Sequence, residues 1–245
     1  MKRSKILVNI LIAMSALFII YKVYSYIDTK KQESEAEYIY KEIEDKGFAK
    51  ASQDVKTDAN DETKEEKIDF DALEAINKDI KFWLKSDEGS IDYPVVKGRD
   101  NYHYLYYAAN GKKNLAGSIF LDYRNESIDD PMLMIYGHMI KNGTMFASLH
   151  KFKGEPEETG FTIYTREQDI RTTCVLAGIV SGKTYINPKD YKSFKARKKF
   201  YDFLKKSAVY DTGYELKEDD KIINLVTCTY ETKNQRLIVL TVVDK

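Results

Sequence analysis

Cysteine is scarce in this chain, with only Cys174 and Cys228 among 245 residues. Two cysteines this far apart are too few for a zinc cluster. A disulfide between them is an alternative that an exported protein allows. Because Cys174 lies inside an apolar run typical of a strand, we predict it to be a small core residue instead. Cys228 is then left as a free thiol.

A net charge is also lacking, since 39 basic residues balance 39 acidic ones. Bulk charge therefore gives no argument for nucleic acid as a partner. Glycine and proline are few, at 12 and 4, whereas tyrosine is abundant at 19. This composition favours a compact, strand-rich body over a disordered chain.

The N-terminus has the pattern of a membrane span. Residues 1–5 are basic, and residues 6–27 are mostly apolar. As a helix this stretch would rise about 33 Å, enough to cross the hydrocarbon core. Positive charges before the span predict a single-pass protein with a cytoplasmic N-terminus and an extracellular body. A cleaved signal peptide is the alternative, but no small-x-small cleavage site follows the apolar run.

Three regions follow from composition: an anchor at 1–27, a stalk at 28–67 and a folded body at 68–245. The stalk is rich in charged residues, and only residues 36–48 have the spacing of a short amphipathic helix. We interpret it as a segment that holds the body away from the bilayer. A solvated tail without a role fits the same composition.

The body is predicted to be mainly β. Asp69 is a candidate N-cap for a helix with apolar residues at Phe70, Leu73, Ile76, Ile80 and Leu84. Another helix is expected within 189–206, with Phe194, Phe200, Phe203 and Leu204 on one side and Arg197 on the other. Strands are expected at 91–96, 117–122, 132–136, 161–165, 172–180, 221–229 and 236–243. Many short strands suggest an antiparallel barrel or sandwich.

Three side chains at predicted strand ends carry the chemistry of acyl transfer. Cys228 ends an apolar strand, His138 follows another, and Arg236 opens the last. A thiolate attacks a carbonyl, an imidazole protonates the departing amine, and a guanidinium stabilises the oxyanion. The backbone N–H of Thr229 is a second candidate oxyanion donor. Taken singly, each residue is more often structural, and His103 and His150 are interpreted as structural.

These motifs resemble the sortases, the cysteine transpeptidases that attach proteins to the cell wall of Gram-positive bacteria. Residues 224–228, Asn-Leu-Val-Thr-Cys, are similar to the family signature T-L-x-T-C, with Asn in the first Thr position. The catalytic histidine of the family falls on His138 and its arginine on Arg236. Residues 92–96, 116–125 and 136–146 are similar to class B members.

The resemblance implies an eight-stranded sortase-type β-barrel with peripheral helices. It also implies that Cys228 cleaves a C-terminal sorting motif after Thr and forms a thioester. An amine of peptidoglycan or its precursor then receives the surface protein, without a metal or organic cofactor. The positions implied to bind the motif are Asn101, Leu105, Tyr185, Ile186, Thr227 and Thr229. Val226 and Thr229 depart from residues that some class B members carry, which leaves the motif's identity open.

Two other functions stay open at this level. A wall-associated thiol peptidase shares the thiol and imidazole, but it would orient the imidazole with Asn or Asp and has no use for Arg236. A non-enzymatic exported binding module would have an incidental thiol. Trapping an adduct on Cys228 would separate this last function from both enzymes.

Overall fold

The computed structural model describes residues 2–48, 67–229 and 234–245. Its three α-helices are α1 (Lys2–Phe48), α2 (Phe70–Ile76) and α3 (Phe194–Lys205). Short 3-10 helices cover His103–Leu105, Ala147–Lys153 and Pro188–Tyr191. The strands are β1 (Ile80–Ser86), β2 (Asp92–Val96), β3 (Ile119–Leu121), β4 (Met132–Tyr136), β5 (Gly160–Tyr164), β6 (Asp169–Ser181), β7 (Ala208–Asp211), β8 (Ile222–Cys228) and β9 (Gln235–Val243). All seven predicted strands are confirmed, and β1 and β7 are additional.

The sheet closes into a barrel. Its strand order is β5-β1-β2-β3-β4-β8-β9-β6, and β6 pairs again with β5 to complete the ring. This confirms the eight-stranded barrel. The ninth strand, β7, pairs with β6 outside the ring. Two neighbouring pairs, β2–β3 and β4–β8, are parallel. The β4–β8 pair matters for function because it joins distant parts of the chain.

The predicted helix after Asp69 is right at its start and wrong at its end. Asp69 caps α2 by accepting from the backbone N–H groups of Asp71 and Ala72. The helix stops at Ile76 because Asn77 is extended and its side chain donates to Tyr104 Oη and Ala109 O. Ile80 and Leu84 lie in β1 instead. Apolar spacing alone predicts a helix here because β1 is covered on both faces, so its apolar residues do not alternate with polar ones.

Strands β8 and β9 are buried on both faces. Ile223, Leu225, Leu237 and Val239 belong to the cluster that fills the barrel. Their neighbours Ile222, Val226, Ile238 and Leu240 belong to a second cluster, under α3. This second cluster covers the outer face of the sheet and ends just before the thiol.

Helix α3 presents a different face to the barrel from the one predicted. Phe200, Tyr201 and Leu204 are buried, whereas Phe203 is 42% exposed. Arg197 was expected on the solvent side but is buried, and it donates to the carbonyl oxygens of Lys192 and Glu218. At about 100° per residue, Arg197 falls within the arc of the three buried residues and Phe203 falls outside it.

Helix α1 is one uninterrupted helix rather than a span followed by a separate short helix. Its C-terminal part packs on the barrel, where Ala36, Ile39, Tyr40 and Ile43 are buried. Residues 36–48 therefore contact the body instead of projecting from it. The remainder of the predicted stalk, residues 49–66, lies outside the described residues. The domain boundaries at 27 and 67 stay predictions.

Candidate active site

Strand register sets His138, Cys228 and Arg236 at adjacent strand ends. In the parallel pair β4–β8, Tyr136 lies opposite Val226, and the Gly137 N–H donates to Val226 O at 3.1 Å. Continuing this register by two residues sets His138 beside Cys228. In the antiparallel pair β8–β9, Cys228 is the direct partner of Arg236. Their Cβ atoms are therefore about 5 Å apart on one face of the sheet.

That face is the outer one, at the end of the cluster beneath α3. Val226 and Ile238 belong to this cluster. Since side chains alternate along a strand, Cys228 and Arg236 share the outward direction of these two residues. Both are exposed, and His138 is half-buried. The thiol and guanidinium are thus open to a polypeptide laid across the barrel end.

His138 is held by contacts on both sides. Its ring Nε2 lies 2.8 Å from Leu105 O, and its backbone carbonyl accepts from the Phe146 N–H at 2.9 Å. A carbonyl oxygen can only accept, so Nε2 carries the proton in this contact and leaves Nδ1 for the reaction. A Cβ on Gly137 would lie 2.7 Å from the Phe146 ring, which explains the glycine before the histidine.

The two cysteines have opposite surroundings. Cys174 is buried at 1% exposure, and this burial raises the pKa of its thiol. Cys228 is exposed, and both cysteines are free, so the disulfide alternative is wrong. The Cys228 backbone carbonyl lies 3.1 Å from His150 Nε2. Of the two sulfurs, only that of Cys228 is accessible to a substrate.

The threonines beside Cys228 are engaged within the protein. Thr227 is buried, and its hydroxyl donates to Gly137 O at 2.9 Å, which ties β8 to the residue before His138. The Thr229 N–H donates to Gln235 O at 3.2 Å. This N–H is therefore paired within the sheet, because the β8–β9 pairing continues past Cys228, and its role as a second oxyanion donor stays a prediction. The Thr229 hydroxyl is buried without a hydrogen-bond partner in the part of the chain that the structure describes.

A buried carboxylate organises the neighbouring wall of the site. Asp122 is fully buried and receives two hydrogen bonds from the Arg124 guanidinium, at 2.8 and 2.6 Å. Asn101 Nδ2 and Tyr136 Oη also donate to it, at 3.0 and 3.2 Å. Burial acts to raise the pKa of Asp122, but the hydrogen bonds from Arg124 and Asn101 outweigh it and the pKa is lowered. Burial and the Asp122 charge raise the pKa of Tyr136.

Arg124 extends this wall to the segment before α3. Its Nη2 donates to Ile186 O at 2.9 Å, and its guanidinium lies 5.5 Å from the Tyr185 ring centroid. Tyr185 is 74% exposed, which leaves its ring available to a ligand. Three of the predicted substrate-binding positions, Asn101, Tyr185 and Ile186, are therefore joined through Asp122 and Arg124. A fourth, Leu105, meets the site through its contact with His138.

Arg124→Gln is expected to destabilise the chain by about 3 kcal/mol, because it leaves a buried carboxylate without its cation. Its thermal midpoint in detergent should fall by roughly 6–12 °C. Since the pKa of Asp122 is lowered, this contribution is present above the ordinary value of 3.8 and is lost as pH falls through the folded-state value.

The matched control is Arg166→Gln, which removes an exposed pair with Asp71 and Glu74. Exposed pairs contribute about 1 kcal/mol or less, so its midpoint should barely move at neutral pH. Equal shifts of the thermal midpoint in the two variants would show that the Asp122–Arg124 pair stabilises the fold no more than an exposed ion pair does.

Sequence reasoning missed two parts of this site. His150 was interpreted as structural with no link to the thiol, yet it contacts the Cys228 carbonyl from a 3-10 helix 78 residues away. The Asp122–Arg124 pair is the second part, and it has no sequence signal of its own. Residues 116–125 carry a family resemblance, but no local sequence pattern predicts that the Asp122 carboxylate is buried. His103, by contrast, stacks on Tyr107 with ring centroids 4.3 Å apart, as a structural residue would.

Comparison with known proteins agrees with the barrel fold. A family model described as the sortase domain matches residues 84–243. The chain is 33% identical over 183 residues to Sortase B of Listeria monocytogenes, covering 71% of this chain and 72% of that protein. The X-ray structure of Clostridium perfringens Sortase B superposes with a TM-score of 0.63 at 30% identity, covering 72% of this chain and 100% of that one. A sortase B structure from B. anthracis gives a TM-score of 0.72 at 26% identity, covering 88% and 99%.

The family model and these relatives place the chain among the cysteine transpeptidases of the sortase family. Within that family it belongs to class B.

Proposed function

We propose that this class B sortase cleaves a C-terminal sorting motif after threonine and transfers the acyl group to an amine of peptidoglycan or its precursor. The observation that carries the proposal is the strand register, which aligns His138, Cys228 and Arg236 across β4, β8 and β9. A thioester enzyme needs a nucleophile, a proton carrier and an oxyanion donor within reach of one carbonyl, and this alignment supplies them.

The sulfur of Cys228 attacks the threonine carbonyl carbon, and the carbonyl oxygen becomes an oxyanion. Collapse of this adduct breaks the C–N bond, and the departing amine takes its proton from His138. The acceptor amine then attacks the thioester, gives a proton to His138 and releases the thiolate. Because the Thr229 N–H is occupied by Gln235 O, the proposed oxyanion donor is Arg236.

The sorting motif is proposed to lie between Arg124 and the barrel end, beside Asn101, Leu105, Tyr185 and Ile186. The exposed Tyr185 ring and the polar Asn101 give one apolar and one hydrogen-bonding surface for it. Thr227 is buried and is proposed to act through the Gly137 backbone carbonyl that its hydroxyl holds, and Thr229 through its buried position directly after Cys228.

Helix α1 is proposed to anchor the enzyme in the cell membrane. The helix is long and apolar enough to cross a bilayer, with a mean hydropathy of 2.3 in its most apolar window. The basic residues before the span support a cytoplasmic N-terminus and an extracellular catalytic body.

Product analysis with and without an added amine tests the reaction. A transpeptidase forms a new amide with oligoglycine or another amine, and a Cys228 adduct accumulates with a slow peptide substrate. Hydrolysis alone across a panel of amines would favour the thiol peptidase instead. The Leu105 carbonyl on His138 argues against that alternative, because it occupies the place where an Asn or Asp would orient the ring.

Arg236→Lys is expected to lower kcat/KM by about a hundredfold or more, because an ammonium cannot reproduce the planar fork of donors. The loss in kcat/KM is measured by steady-state peptide cleavage, and circular dichroism checks that the variant is folded. Arg171→Lys, at an exposed pair with Asp87, is the matched control and should retain activity. Full activity in Arg236→Lys would remove arginine from the proposed mechanism.

A further inference from the structure

Helix α1 leaves little distance between the proposed membrane span and the barrel. Its long run of exposed apolar residues ends at Ile27, and Asp28 begins the charged part. Hydrogen bonds join α1 to the barrel at Gln32, whose backbone carbonyl accepts from Asn114 Nδ2 at 3.0 Å and whose Oε1 accepts from the Leu115 N–H at 3.3 Å. The rise from Ile27 to Gln32 is about 7.5 Å, which is comparable to the thickness of one headgroup layer.

Further contacts fix the barrel against α1. Tyr40 Oη donates to Gly117 O at 2.6 Å, and the Tyr40 ring meets the Tyr93 ring edge to face at 5.2 Å. Ile39 and Ile43 are buried in the same cluster as the barrel interior. Because the helix continues without a break from the span into these contacts, the barrel cannot swing away from the bilayer independently of α1.

The barrel surface nearest the span has the composition of a membrane-contacting face. A turn places Tyr106 opposite Asn114, whose N–H donates to Tyr106 O at 2.9 Å. Tyr106 and Leu115 are 54% and 51% exposed, and Lys113 between them is exposed as well. Aromatic, aliphatic and lysine side chains together favour the interface between water and lipid.

The neighbouring charges on α1 are mixed. Asp28, Lys31 and Glu35 line the groove between the helix and this turn. Lys30 is paired with Glu33. The argument for lipid therefore rests on the apolar side chains and on the short distance to the span, with Lys113 adding attraction to anionic headgroups.

We propose that Tyr106, Lys113 and Leu115 form a docking surface that rests on the phospholipid headgroups of the bilayer in which α1 is anchored. The proposal rests on the membrane anchoring proposed above. Its consequence concerns the active site, because Tyr106 directly follows Leu105 in the chain, and the Leu105 carbonyl contacts His138. One chain segment, Leu105–Tyr106, therefore contributes to the docking surface and contacts the His138 imidazole. The active site is then held close to the bilayer, and no extended stalk separates the two.

A depth measurement on the full chain tests this surface. Cys228→Ala removes the exposed thiol, and Cys174 is too buried to react. A fluorophore is then placed at Leu115→Cys, and in a second variant at Lys113→Cys. The matched control is Glu167→Cys. Glu167 is exposed and follows Arg166, whose side chain binds Asp71 and Glu74 of α2, near the end of α1 that is farthest from the span. Each chain is reconstituted into phosphatidylcholine–phosphatidylglycerol vesicles that carry a nitroxide on the headgroup.

The labels at 115 and 113 should be quenched at least about threefold more than the label at 167, since the two ends of the barrel differ by on the order of 20 Å along α1. Equal quenching at both ends, in chains that float with the vesicles, would overturn the docking surface and leave the anchor intact. Chains that do not float would overturn the anchor, and the docking surface with it.

Discussion

Cys228→Ala is expected to abolish transpeptidation, with a loss of at least about 10⁴-fold in turnover. The methyl group cannot form the thioester, and the thiol of Cys174 cannot replace it because Cys174 is buried in the barrel. The loss is measured as amide product formed per enzyme, and as a missing acyl-enzyme mass in intact-protein mass spectrometry.

Cys174→Ala is the matched control for this first prediction. It removes a thiol that no substrate reaches, so the variant should keep most of its activity and form the acyl-enzyme normally. An acyl adduct on Cys228→Ala, or a loss of adduct in Cys174→Ala with folding intact, would show that the nucleophile has been assigned to the wrong sulfur. Alkylation of the native chain should likewise modify Cys228 alone.

His138→Ala is expected to lower kcat by about 10²–10⁴-fold, the usual contribution of a positioned acid and base. Without an imidazole, the departing amine has no proton carrier at this strand end. Single-turnover measurement of acyl-enzyme formation and of amide formation separates the two proton transfers, and both are expected to slow.

His150→Ala is the informative comparison, because His150 contacts the backbone carbonyl of Cys228 and not the reacting atoms. It should act as a positioning residue, with a loss of less than about tenfold, roughly that of one hydrogen bond. If His150→Ala were the more damaging of the two, the imidazole that serves the thiol would be that of His150 and not that of His138.

The strands around the site could be predicted from the sequence because their apolar runs are bounded by turn residues. β4, β8 and β9 are apolar on nearly every residue, and the structure buries both of their faces. β1 could not be told from a helix, since Ile80 and Leu84 continue the spacing of Phe70, Leu73 and Ile76. β7 escaped prediction because its residues are mostly exposed and carry no apolar alternation.

Only the parts of the site that lie in local sequence motifs could be predicted. His138, Cys228 and Arg236 stand at strand ends that the sequence shows, and the resemblance gave them roles. Their alignment depends on register between strands, which no local pattern specifies. Tertiary packing produces the Thr229 N–H pairing, the His150 contact and the Asp122–Arg124 ion pair, and none of these contacts has a local sequence signal.

The parallel pairing of β4 with β8 has a consequence for folding kinetics. The hydrogen bond between Thr227 and Gly137 joins residues 90 positions apart, so loop closure must precede any gain from this pairing. Catalytic competence should therefore arise late, after the hairpin-rich first half has collapsed. Until the final two strands arrive, β4 presents an unpaired apolar edge, and a truncated chain lacking them should aggregate rather than persist as an inactive barrel.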